Sequence, residues 1–381
     1  MLSRSSPSIP RVRRGLVRLT LALGLAALAT STSGCRTYAT KTQEVRSLWR
    51  AGQSEQAAKV FTERADAAPQ GRDAVIWRLE QATALRAAGR FEESTRAFEA
   101  AEARMAEYGS KARVRVATEA MATMTTPANL PYEGRTYDRI MAATYRALNA
   151  LTLGQPDSAR PALIKAYQYQ QDAVAENSRR IERAQNDARD SKDAGAISRT
   201  EGHPQFRSQV DSLYSKLAQL KPYSDYVIPF TVWLDGVFFL ARAQDLSDLE
   251  RAHKSLERAL AFAPDHPGIQ ADLRLADARF KGAPLEPVTY VVFETGQAPI
   301  RAQVRFDIPI IFANVSYVGS AWPVLETQAG HALTLAVNAG GQRLTTTPGT
   351  SMDSVIARDF EDERPAIITR TLVSTLAKGA A

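Results

Sequence analysis

The sequence predicts a mainly α chain, a helical repeat array followed by a small α+β C-terminal module. Three observations predict it. From about Lys41 to Phe280 apolar residues recur at helical spacing in alanine-rich runs broken by single glycines. Segments headed by those glycines align with one another. After Phe280 the texture changes to β-branched, alternating runs separated by Gly and Pro.

Composition narrows the class. The 381 residues are 44% hydrophobic and 23% charged, ordinary globular values that argue against disorder throughout and against a polytopic membrane protein. A single cysteine excludes an internal disulfide framework and a Cys-cluster metal site. The formal charge of +7 misleads, because residues 1–34 hold five arginines (Arg4, Arg11, Arg13, Arg14, Arg18) and no acid. The rest balances 43 basic against 41 acidic residues, so charge gives no support to a nucleic-acid partner.

The N-terminus reads as an address. Basic residues end at Arg18, the apolar run Leu19–Ala29 follows, and Thr30-Ser31-Thr32-Ser33-Gly34 leads into Cys35. The run is short for a bilayer span and suits a signal-peptide core. The junction resembles a bacterial lipobox, with Thr32 where the family usually has Leu. That resemblance implies residues 1–34 as a lipoprotein signal peptide and a chain cut before Cys35, which carries the acyl groups. Residues 35–45 would be a lipidated tether. Several acyl chains on one residue make anchoring stable. Arg36, in place of Asp, implies the outer membrane for a lipoprotein of this kind. The stretch Arg13-Arg14-Gly15-Leu16-Val17 faintly resembles a twin-arginine signal; the ordinary basic region of a signal peptide accounts for it as well.

Residues 46–281 are expected to form the array. Gly52, Gly89 and Gly154 each precede a small residue five positions on (Ala57, Ser94, Ala159) and a large apolar one nine on (Phe61, Phe98, Leu163). Ala252, Leu256, Ala259 and Pro264 repeat the second half. The pattern resembles the tetratricopeptide repeat, paired antiparallel helices meeting at a glycine turn, so the fold expected is a tetratricopeptide-like array. Met121 to Gly134 reads as a loop. Polar residues 168–220 read as a protruding helical hairpin, either a solvated arm or a partner-binding one. The block Tyr223–Leu240 reads as a buried central helix with Pro229 in its first turn.

Residues 285–381 are expected to form the β-rich module, closed by two helices. Val288–Phe293 and Ile300–Phe306 read as strands, the latter with Arg301, Gln303 and Arg305 facing solvent. Asn338-Ala339-Gly340-Gly341 reads as a hairpin turn, and Ser351 to Lys378 as helix interrupted at Pro365.

Several segments together resemble a family of bacterial lipoproteins with tetratricopeptide-like repeats. They are Pro131–Gly134, Tyr145–Gly154, Tyr226–Leu240, Val291–Gly296, Val315–Val318 and Arg364–Arg370. Members are often encoded beside activators of penicillin-binding proteins or relatives of the curli secretion lipoprotein. The resemblance implies a role in envelope assembly and supplies no catalytic residues.

No HExxH, P-loop, GxGxxG or GxSxG motif occurs. His203, His253, His266 and His331 lack metal-ligand spacing, and Asp359, Glu361, Asp362 and Glu363 read as solvated ion pairs beside Arg358 and Arg364. No catalytic residue, metal or cofactor is expected. The function expected is a non-enzymatic, lipid-anchored periplasmic scaffold or adaptor for other cell-envelope proteins, with the membrane reached through acylated Cys35. The alternative is a cell-wall glycan-binding lipoprotein whose C-terminal module stacks Tyr317 or Trp322 on sugar. A hydrolase without a recognisable motif is the third reading.

Overall fold

The computed structural model describes residues 38–114, 131–191, 194–224, 226–309 and 317–379. Cys35, the leader before it and most of the 121–134 loop lie outside the described residues. Residues 48–381 form one compact unit, distinct from residues 1–47. The chain is mainly α with a small α+β C-terminal region. Helix α1, Tyr38–Arg50, begins inside the stretch expected to be a tether; the Tyr38–Arg50 run lacks Gly and Pro, so nothing in it breaks a helix.

Helices follow in hairpins: α2 (Ser54–Ala67), α3 (Ala74–Ala87), α4 (Phe91–Val114), α5 (Thr136–Thr152) and α6 (Pro156–Arg189). Then come α7 (Ala194–Gly202), α8 (Pro204–Leu213), a 3-10 turn (Ser215–Leu220), α9 (Pro229–Ala241), α10 (Leu246–Phe262) and α11 (Pro267–Phe280). The aligned glycines make one and the same turn. Gly52, Gly89 and Gly154 have φ of 71°, 78° and 70°, the left-handed region that only glycine enters cheaply. Each glycine N–H bonds the carbonyl three residues back, and the next N–H bonds five back, as in Arg90 to Leu85 and Gln155 to Ala150. This closes the helix C-terminus and reverses the chain. Gly282 repeats it with φ 90° and a bond from the Ala283 N–H to the Ala278 carbonyl. The aligned side chains Ala57, Phe61, Ser94, Phe98, Ala159, Leu163, Ala252 and Leu256 are all buried, the small ones letting helices approach and the large ones filling the gap.

The aromatic block forms α9 as expected, and Leu234, Val237, Phe238, Phe239 and Leu240 join Leu163 and Leu256 in one cluster. Trp233 departs from the expectation of burial. It is half-buried at the rim, where its Nε1 donates to Asp272 at 2.8 Å.

Three expectations are corrected by what packs on the C-terminal region. The hairpin at 168–220 does not protrude as a solvated arm. Ile197, Phe206, Val210, Tyr214 and Leu217 are buried against Trp322, Ala357, Phe360, Ile367 and Leu372. These five apolar residues are covered by residues more than a hundred positions downstream, while Val174 stays exposed. Second, Pro365 does not divide the end of the chain into two helices. A single helix, α12 (Met352–Gly379), runs through it. Pro365 is exposed, so its ring meets solvent, while buried Asp359 and Glu363 before it and Ala366, Ile367 and Leu372 after it hold both halves in line. Third, residues 285–381 are not a separate domain, because this shared core joins them to the array.

Among the described residues the β content is two separate antiparallel pairs. Strand β1 (Ile300–Pro309) pairs with β2 (Tyr317–Glu326), with Val304 opposite Trp322. The expected hairpin is present as β3 (Ala336–Ala339) and β4 (Gln342–Thr345), turning at Gly340-Gly341. Val288–Phe293 is extended but joins no sheet. Its side chains tie it to helices instead: Tyr290 Oη donates to Asp272 Oδ1 at 2.9 Å.

Two outcomes follow. Phe238→Ala, which opens a hole in the main cluster, is expected to destabilise by about 3–5 kcal/mol in urea unfolding. A chain ending at Lys281 exposes Phe206, Tyr214 and Leu217 and is expected to aggregate or lose helix. A soluble, fully helical truncation by circular dichroism and size-exclusion chromatography would show that the shared core is dispensable.

Candidate functional site

The acidic cluster of α12 sits where three distant parts of the chain meet. Asp359 and Glu363, one helical turn apart, are only 2% and 4% exposed. Four-residue spacing puts them on one face, and that face meets α5, α6 and β1. Arg135, which precedes α5, reaches Glu363 at 2.6 Å. Arg301 on β1 forks across both acids, 2.8 Å from Glu363 and 2.9 Å from Asp359. Arg180 on α6 takes the other Asp359 oxygen at 3.0 Å. The forked contacts are the strong form of this bond, since a planar guanidinium matches two acceptors at once. Arg301 also lies over the Phe360 ring, 5.1 Å from its centroid.

The segment that places Arg135 is Pro131–Gly134. The Tyr132 N–H bonds the Arg72 carbonyl at 2.9 Å, and the Arg135 N–H donates to Asp138 at 2.7 Å, closing the first turn of α5. Tyr132 Oη donates to the same carboxylate at 2.5 Å. Gly134 has φ 83°, and a Cβ there would sit 2.2 Å from Met105 Sδ, so glycine is required twice over. On the other side Asn177 bonds Tyr226, and Arg358 lies over the Tyr226 ring at 5.6 Å.

The electrostatics follow from burial against charge. Burial alone would raise the Glu363 carboxyl, but Arg135 and Arg301 outweigh it and hold it well below the ordinary carboxylate range. Burial, then the Asp138 charge, pushes the Tyr137 hydroxyl up to about 12. Burial likewise raises Asp138, against its bonds from Tyr132 and Arg135. Glu363, held ionised and already bonded, is a poor proton donor and a weak base, so the cluster is built for cohesion and not for acid–base chemistry.

This corrects the expectation of solvated ion pairs. Asp362 pairs with Arg358 one turn back at 2.8 Å, and both Glu361 and Asp362 are half-buried. Arg301, expected to face solvent with Gln303 and Arg305, is drawn in by the two carboxylates. Trp322, offered for sugar stacking, is fully buried, and the Tyr317 side chain lies outside the described residues. His253 lies between Glu257 at 3.4 Å and Asp277 at 2.8 Å, and His266 caps α11 by accepting from the Ile269 N–H. Among the described residues no group of His, Cys, Asp and Glu could hold a metal ion, and no helix is long and apolar enough to cross a membrane.

No family model, curated protein or solved structure matches the chain.

Glu363→Gln leaves the arginines facing a neutral partner and is expected to cost about 3–5 kcal/mol near neutral pH. Its folded pKa is depressed, so its stabilising contribution is present above the ordinary value of 4.5 and is lost as pH falls through the folded value. The wild-type advantage over Glu363→Gln should therefore narrow below about pH 4.5 in urea titrations. A gap under about 1 kcal/mol, or one unchanged by acid, would make this an ordinary surface pair.

Proposed function

We propose that the protein is a non-enzymatic, lipid-anchored adaptor on the periplasmic side of the outer membrane, where it binds other cell-envelope proteins. The observation that carries the reading is the order basic stretch, apolar run, small residues, then the sole cysteine, Cys35. The stacked helical hairpins support it, because first helices set side by side offer a continuous face to a partner segment. The buried carboxylates Asp359 and Glu363 also support it: both are held by arginine, which suits a rigid frame. The glycan-binding alternative loses Trp322, which lies in the core. In this reading peptidoglycan synthesis or export machinery supplies the partners.

Replacing Cys35 by Ser tests the anchor. Wild type is expected to take up labelled palmitate and sediment with outer membranes. The Cys35→Ser chain should stay as precursor or appear in the soluble periplasm. Label in the Cys35→Ser chain would end the lipoprotein reading.

A further inference from the structure

Helices α3, α5, α9 and α11 lie side by side. Contacts run in the order α3, α5, α9, α11, and residues 285–294 cross this face in the reverse direction. The crossing segment is held almost wholly by side chains. Leu285 packs on the main cluster. Tyr290 donates to Asp272 at 2.9 Å, with its ring edge-on to Trp233 at 5.6 Å between centroids. Glu294 meets Arg86 at 2.5 Å. Among the described residues no backbone bond involves 286–293, and Val288, Val291 and Val292 stay 40–48% exposed.

We propose that this face is a binding groove for an extended peptide and that residues 285–297 are its resident competitor. The peptide would carry an aromatic hydroxyl and, four residues on, a carboxylate. The inference rests on the adaptor reading and specifies the chemistry of the partner.

The receiving groups are also held by contacts that do not involve the segment. Asp272 is buried, and its two hydrogen-bond partners among the described residues are both neutral donors, the Trp233 indole and the Tyr290 hydroxyl. Without Tyr290 it keeps only the indole, so an occupant that brings a hydroxyl is preferred to one that does not. Arg86 is aimed by Asn149 Oδ1 at 2.7 Å and lies over the Tyr145 ring at 5.2 Å. Asn149 is itself fully buried, its amide shared among Phe91 O, Ser94 Oγ and Thr95 Oγ1. Arg86 therefore presents a fixed guanidinium to a carboxylate. The segment's exposed valines and idle main chain add little to hold it down. A tethered occupant acts at an effective concentration on the order of millimolar, so it lowers the apparent affinity of any free peptide.

The test uses the full chain carrying Cys35→Ser and a fluorescein-labelled synthetic peptide of residues 285–297. Tyr290→Phe with Glu294→Gln loosens the resident segment and leaves the face untouched. This variant is expected to bind the peptide at least ten-fold tighter than the parent by fluorescence anisotropy. A peptide with the same two changes should bind no better than background, and Arg86→Met in the loosened variant should abolish the gain. Equal affinity of parent and loosened variant overturns the proposal. So does binding that survives Arg86→Met but is lost on N-methylating the peptide backbone, which marks strand addition to the exposed segment. Dimerisation of the loosened variant in place of peptide binding also overturns it, since a second copy is then the occupant. If the double variant loses helical signal, Tyr290→Phe alone carries the comparison, with the same equality as the failing result. Lipid anchoring and envelope-partner crosslinking that persist without peptide binding leave the adaptor reading standing and remove this face from it.

Discussion

The ion network of Asp359 and Glu363 is the constraint from which the rest of the architecture follows. A carboxylate removed from water is costly unless charge and hydrogen bonds meet it in good geometry. Here two such groups lie one turn apart on α12, and the guanidiniums that meet them come from before α5, from α6 and from β1. No local rearrangement of α12 could satisfy both. The helix must lie against the array with its register fixed, because a slip of one residue would turn both acids about 100° off the arginines. The apolar contacts of Trp322, Phe360 and Leu372 with Phe206 and Tyr214 supply non-directional burial. The ion pairs supply direction. Together they explain why the C-terminal region joins the array as one core.

What the sequence made legible was local. Gly52, Gly89 and Gly154 were readable because a glycine turn, a small residue and a large one recur at fixed offsets, and all three make the same turn in the structure. The β3–β4 hairpin and the aromatic helix α9 were readable for the same reason, since turn chemistry and hydropathy act within a few residues. What failed was long-range. The acids at 359 and 363 looked solvated because their arginines stand at 135, 180 and 301, at no fixed spacing. Their four-residue separation was the one available clue to a common face. Residues 288–293 have every local mark of a strand, yet Asp272 binds the Tyr290 side chain, Arg86 binds Glu294 just beyond, and no neighbouring strand is offered among the described residues. Pro365 looked like a break because local rules price its lost hydrogen bond and cannot see the buried contacts on either side. Cys35 lies outside the described residues, so the anchor remains a reading of the sequence alone.

The two polar centres of the molecule are used differently, and the contrast bears on function. At Asp359 and Glu363 oppositely charged groups meet with little exposure, an arrangement that is hard to open without leaving a buried charge unpaired. At Asp272 and Arg86 the partners are a phenol hydroxyl and a half-exposed carboxylate on a segment whose residues 286–293 make no backbone–backbone bond among the described residues. Releasing that segment frees groups that water can solvate, and the fixed donors and acceptors stay behind on the helices. A rigid frame closed by one centre therefore presents the other as an exchangeable contact. On the proposed adaptor reading this pairing supplies recognition groups held in place by packing, and an occupant weak enough to yield to a partner that makes the same bonds and adds its own main-chain contacts.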